Sequence, residues 1–398
     1  MNVKYNSEKP KKTKKIKLFN LSTNITKRHK SLHKYSNTEK ENINTINIKY
    51  NIEKEKEKNI IIQKELDFTF FRDLSAESFS DDFFSSYDNT FTVFKSINDI
   101  IYLVFACENK SIISYDLKNY QKISEIKNAH NKYITNFRHF FDKKNKRDLV
   151  MSVSSMDNNL KIWNIYNWDC ILEIKNVNRI GVLYSASFLL ENNDIYILTS
   201  NSDLLKRKDP IKIFNMKAEK IYEIKIEYSV NFIDCYYENK NIVNNIYIII
   251  GTQHNIISYD YTNNKIYNKY GKIRGSYYSI IIYNNKNDNK ITQLIASNFN
   301  EIIEIYDFHT SKQIYEIHIK NSLGLFGICL WDENNLLVAC CDTTIKIINL
   351  KERKLKKCLY GHNNYVTTIK KIYIPNLGDC LISQGITTDS IKLWTLNK

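Results

Sequence analysis

Seven times along the chain a short alternating run ends in an aromatic or aliphatic residue followed by Asp, Asn or Thr. The pairs are Tyr115-Asp116, Trp163-Asn164, Phe214-Asn215, Tyr259-Asp260, Tyr306-Asp307, Ile348-Asn349 and Trp394-Thr395, spaced by 48, 51, 45, 47, 42 and 46 residues. No feature constrains the fold more. A unit of this length cannot bury its own apolar surface, so stability requires stacking against the next unit.

Each unit holds about four short apolar runs separated by turns, with the excess length in Asn/Lys-rich loops. The unit around Trp163 reads as strands over 133–140, 148–154, 160–163 and 170–174. Alternation within the runs suits sheets stacked face to face around an axis. Four strands per unit predict the blades of a β-propeller. Seven landmarks predict seven blades, with six or eight as the alternatives. The last unit has only three strands, so its fourth must come from elsewhere, and residues 60–66 (IIIQKEL) are the natural candidate. Closing the ring removes sheet edges that would otherwise invite aggregation. The expectation is an all-β fold: a seven-bladed propeller of four-stranded antiparallel blades over 90–398. A closing strand and an acidic Ser/Phe-rich linker occupy 59–89, behind a disordered basic tail at 1–58.

Charge separates the tail from the rest. Residues 1–58 carry 16 Lys/Arg against 6 Asp/Glu, a net +10, while the remaining 340 residues carry 42 against 37, a net +5. The tail has few large apolar residues and cannot offset its chain entropy by burial. Its run at 11–17 (KKTKKIK) reads as a solvated low-complexity stretch, with nuclear import or an acidic surface as the alternative. His29 and His33 are four apart, but nothing nearby completes a metal set. No apolar run is long enough to span a bilayer, and the first residues lack a signal core, which predicts a soluble intracellular protein without membrane insertion. Eight Cys without a CxxC pair read as reduced thiols.

The repeats resemble the WD-repeat family over roughly residue 60 to the end. The carriers are Ala129-His130 with Asp157 and Trp163 in SSMDNNLKIWN, and Gly361-His362 with Asp389 and Trp394 in ISQGITTDSIKLW; a third unit, VACCDTTIKIINL, keeps Asp342. The resemblance implies a buried hydrogen-bond network in each such blade, joining His130, Asp157 and Trp163, or His362, Asp389 and Trp394, through a strand Ser or Thr. Its role is structural, because buried polar groups need partners and a satisfied network holds turns in register. The usual turn Gly after the Asp is Asn158 in one repeat and missing in the other. Blades three to five rest on spacing alone.

The near-identical peptides HNKYIT and HNNYVT mark candidate partner contacts by the same resemblance: Tyr133, Thr135 and Met156 in one blade, and Tyr365, Thr367 and Thr388 in another. An exposed Tyr brings large contact area at low entropy cost. The same Tyr residues could instead pack against neighbouring blades.

Chemistry is hard to place on this chain. There is no phosphate-cradling Gly-rich loop, no GxSxG elbow and no HExxH or Cys/His cluster, and the carboxylates sit scattered at turns. The only Arg-Gly near a phosphoinositide-type signature is Ile273-Arg274-Gly275, with one Arg and no Phe. The reading is therefore a non-catalytic protein-interaction scaffold without cofactor or metal, cytoplasmic or also nuclear, holding other proteins in a multiprotein complex. Two alternatives stay open: a nucleic-acid-associated propeller using the basic tail, and an enzyme with a site in the central channel.

Overall fold

The computed structural model describes residues 66–74, 90–107, 110–178, 182–202, 210–240, 243–271, 275–284, 291–386 and 390–397. Within them lie seven sheets, each of four antiparallel strands. In six blades the four strands follow in chain order, over 91–126, 134–174, 182–224, 230–270, 277–318 and 325–359. The seventh contains Val366–Ile374, Gly378–Gly385 and Ile391–Leu396, with Phe68–Asp73 as its outermost strand. First strands of successive blades touch all the way round, including Val366–Ile374 against Phe91–Lys95, so the ring is closed.

The core is divided as a stack of repeats requires. Seven buried apolar clusters each straddle one blade interface. Between blades one and two, for instance, Tyr102, Val104 and Ile112 meet Phe137, Val150 and Trp163. Each such side chain contributes about 1.5–3 kcal/mol on burial, and none would be buried if a blade stood alone.

The landmark pairs close the third strand of each blade, and their Asp or Asn has a defined task. Asp116, Asn164, Asn215, Asp260, Asp307 and Asn349 each accept a backbone N–H two or three residues on, at 2.8–3.3 Å. The turn then passes through one left-handed residue, Tyr120, Trp168, Ala218, Asn264, Ser311 or Arg353, with φ between 53° and 64°. Such side-chain turns suit Asp and Asn. Blade seven has Thr395 at the corresponding place because the strand continues there, pairing with Cys380 on one side and Thr69 on the other.

Every outer strand also carries a β-bulge opposite the landmark. The unpaired residues are Ile123, Ile171, Ile221, Tyr267, Ile314, Lys356 and, in the closing strand, Phe71. A bulge twists an exposed edge and blocks pairing with another chain.

The closing strand lies at Phe68–Asp73, starting two residues after the end of the 60–66 segment expected from sequence, of which only Leu66 is among the described residues. Its anchors explain the placement. Phe68 stands edge-on to Trp331 of blade six at 4.8 Å, and Asp67 pairs with Lys357 of the same blade. Phe70 meets Trp394 of blade seven at 5.8 Å, while Arg72 lies 4.4 Å over the Tyr120 ring of blade one. A second link crosses the seam: Thr90 Oγ1 donates to Gln384 Oε1 at 2.6 Å and lies 3.0 Å from Thr368 Oγ1.

Candidate interaction face

In each blade the first strand starts, and the second and fourth strands end, on the same side of the ring. That side carries the turns between second and third strands and the connections from one blade to the next. His130, Tyr133, Met156, His362 and Tyr365 all lie in such segments.

Two of these segments are pinned from beneath. His130 Nε2 lies 2.7 Å from Ser152 Oγ, and Trp163 Nε1 donates to the same hydroxyl at 2.8 Å. Blade seven repeats the arrangement, with His362 Nε2 and Trp394 Nε1 each 2.7 Å from Ser383 Oγ. One serine hydroxyl, with a proton and two lone pairs, thus ties the indole and the imidazole of its blade together. Burial, reinforced by the charge on Lys161, pushes the His130 imidazole down to about 3. Asp157 sits in its turn, accepting from Asn159 N at 3.2 Å; its second oxygen and His130 Nδ1 are buried without a hydrogen-bond partner. Asn158, in the place of the usual Gly, is left-handed at φ 53°. Asp342 holds the corresponding turn of blade six by accepting from Thr344 N and Thr344 Oγ1 and by pairing with Lys346. Asp389 and Thr388 lie outside the described residues.

A lysine two residues before the landmark was overlooked in sequence, although its signal recurs at Lys161, Lys212, Lys346 and Lys392. Lys161 Nζ donates to Ala129 O at 2.8 Å and Lys212 Nζ to Val177 O at 2.7 Å, each fixing the connection that enters its own blade. Lys392 Nζ reaches Asp73 of the closing strand at 2.8 Å. Buried Ile113 and Ile257 take this position in blades one and four, and blade five places the buried Glu304 there, accepting from Tyr306 Oη at 2.9 Å.

The candidate contact residues divide by exposure. Tyr365 is 43% and Met156 45% exposed, and Tyr133 is half-buried. Thr135 and Thr367 are buried at the bulged start of their inner strands. Thr135 bonds Ser155, and Thr367 Oγ1 donates to Gln384 O at 3.4 Å. These two threonines therefore brace the face from below, and of the candidate contact residues it is Tyr365, Met156 and the free part of Tyr133 that reach the surface, beside Tyr360, which is 74% exposed. Among the described residues no group of three His, Cys, Asp or Glu side chains is placed to hold a metal ion.

No protein-family model matches the sequence, and no curated protein matches it. Solved structures do. The crystal structure of BBS1N in complex with ARL6DN, soaked with mercury, aligns with a TM-score of 0.58 at 12% identity, covering 82% of this chain and 98% of that one. Its lead-soaked counterpart gives 0.59 at the same identity and coverage. The shared property is the fold.

Proposed function

We propose that this chain is a WD-repeat-type propeller acting as a non-catalytic protein-interaction scaffold. Its place of action would be the cytoplasm, with the nucleus as a second site. The observation that carries the reading is the pairing of exposed Tyr365 and Met156 with loops braced from beneath by buried His–Ser–Trp bonds. A rigid platform presenting large side chains loses little entropy when a partner docks. The WD-repeat assignment is supported by the His–Ser–Trp arrangement in blades two and seven, which is what the resemblance implies. A protein partner is supported by the structural neighbour having been crystallised in complex with another protein.

The test is affinity purification with mass spectrometry from the native cell, comparing the parent with a Tyr133→Ala/Tyr365→Ala double variant of checked stability. Loss of a stable set of proteins in the variant is the expected result. Retention of the whole set removes these residues from the interface, and recovery of RNA with no specific protein overturns the scaffold reading.

A further inference from the structure

Among the described strands, the closing strand alone has no neighbour in sequence within its own sheet. No turn ties Phe68–Asp73 to Ile391–Leu396, so one ladder of hydrogen bonds and a few side chains hold it in place. Within the strand only Phe68 is buried. The ion pairs at its two ends, Asp67 with Lys357 and Asp73 with Lys392, are open to water, with the carboxylates 47% and 50% exposed, and such pairs are weak. The seam is thus the one joint of the ring that can open without unfolding a blade.

What the seam accepts is nevertheless specific. Lys357 and Lys392 each meet an acid, the ring of Trp331 takes Phe68 and that of Trp394 meets Phe70. An extended segment that fits must therefore carry Asp, Phe, Phe and Asp at the spacing of Asp67, Phe68, Phe70 and Asp73. A second copy of this chain carries it.

The chain length allows a second copy to supply it. Leu74 N donates to Ile391 O at 2.8 Å; Ile391 pairs with Gln384, and Gln384 with Thr368, whose Oγ1 accepts from Thr90 N at 3.2 Å. Leu74 and Thr368, beside Thr90, therefore stand about 15 Å apart, three strand spacings across blade seven. Residues 75–89 join Leu74 to Thr90, and a chain of that length can reach about 50 Å. We propose that two copies of this chain exchange residues 66–74, each closing the other's ring, and so form a dimer. Exchange loses no contact, because every group that holds the strand is present in the partner copy. Concentration and the connecting length then set the balance between self-closure and exchange. The dimer carries two interaction faces and is a bivalent scaffold.

Thr69 and Thr395 provide the test, since they face each other across the seam with their hydroxyls 3.5 Å apart. Cys380 flanks Thr395 on its other side, so every chain used carries Cys380→Ala. A full-length chain with Thr69→Cys is mixed with an isotope-labelled one with Thr395→Cys, oxidised with diamide, and mapped by tandem mass spectrometry. The expected product is a disulfide from position 69 of one chain to position 395 of the other, formed at a rate that rises with the product of the two concentrations. Phe68→Ala in the Thr395→Cys chain weakens that chain's own closing strand, and the yield should then rise about tenfold. A chain bearing both substitutions shows that the geometry permits the bond, by forming it within itself. No bond between chains under conditions where that control closes overturns the proposal. So does a bond that appears only as fast as the whole ring unfolds, measured by hydrogen exchange, or a yield indifferent to Phe68→Ala.

Discussion

A histidine sealed inside a blade resists protonation, and that gives the fold a pH dependence that can be worked out. His130 has a folded value of about 3 against 6.5 in the open chain, so on acidification the unfolded state takes up the proton first. The stability it contributes is full above about 6.5 and is lost progressively as pH falls toward 3. Between pH 7 and pH 5 the unfolding free energy should drop by about 2 kcal/mol on account of this ring. Burial also pushes His139 down, with Asp148 opposing, so the ring of interest has to be isolated. Urea unfolding of His130→Asn beside the parent does so: the variant should show the smaller drop, and parallel losses would mean that His130 is not the titrating group. At this scale the sequence was partly legible. His130, Trp163, His362 and Trp394 stood out because their types and spacing recur. The carboxylate of Asp157 was expected in the same network and instead holds its own turn, a choice set by backbone geometry that spacing does not encode. The third-strand lysines were visible as a pattern, but a Lys between two aliphatic residues reads as a solvated position until its carbonyl partner in another segment is known.

Among the elements, the third strands were legible because each ends in a local turn whose chemistry is written in one residue. The closing strand was legible in its origin, ahead of the first blade, and not in its position. An apolar run at 60–66 looks more strand-like than Phe68–Asp73, and what selects the latter is contact with side chains some 260 to 330 positions away, including Trp331, Lys357 and Trp394. Such anchoring leaves no local trace. Removing residues 66–74 strips the outer strand from blade seven and uncovers Trp394 and the edge of Ile391–Leu396. The shortened chain should unfold at lower temperature and elute partly as aggregates in size-exclusion chromatography. Phe68→Ala alone, a buried aromatic truncation, should cost about 3–5 kcal/mol, and an unchanged melting temperature would show that the strand is dispensable for closure.

At the scale of the whole ring, blades communicate through more than their shared apolar clusters. Arg138, on the inner strand of blade two, donates to Ala186 O of blade three at 3.4 Å and to Ile233 O of blade four at 3.3 Å, and pairs with Asp234 at 3.3 Å. Ser187 Oγ donates to the other oxygen of Asp234 at 2.8 Å. One guanidinium thus spans three blades. Asp234 is well exposed, so the ion pair itself is weak. Arg138→Met should cost about 1–2 kcal/mol, mostly through the two carbonyls left without a donor. Hydrogen exchange should quicken in the inner strands Ile134–Asp142, Val182–Glu191 and Val230–Lys240 while Asn335–Cys340 and Ile345–Asn349, in blade six, stay as protected as before. Uniform quickening around the ring would instead mark it as one cooperative unit. The number of blades was readable from spacing because each blade repeats a local programme; a link such as Arg138 was not, because it joins units by shape alone. The closing seam also sets a timetable for biosynthesis. Thr69 and Thr395 are 326 positions apart, and at about 5–20 residues per second the earlier strand emerges from the ribosome roughly 15 s to a minute before its partner exists. Throughout that interval its phenylalanines and unpaired backbone are open to any other nascent chain, so the step most exposed to cellular quality control is the wait for the last blade.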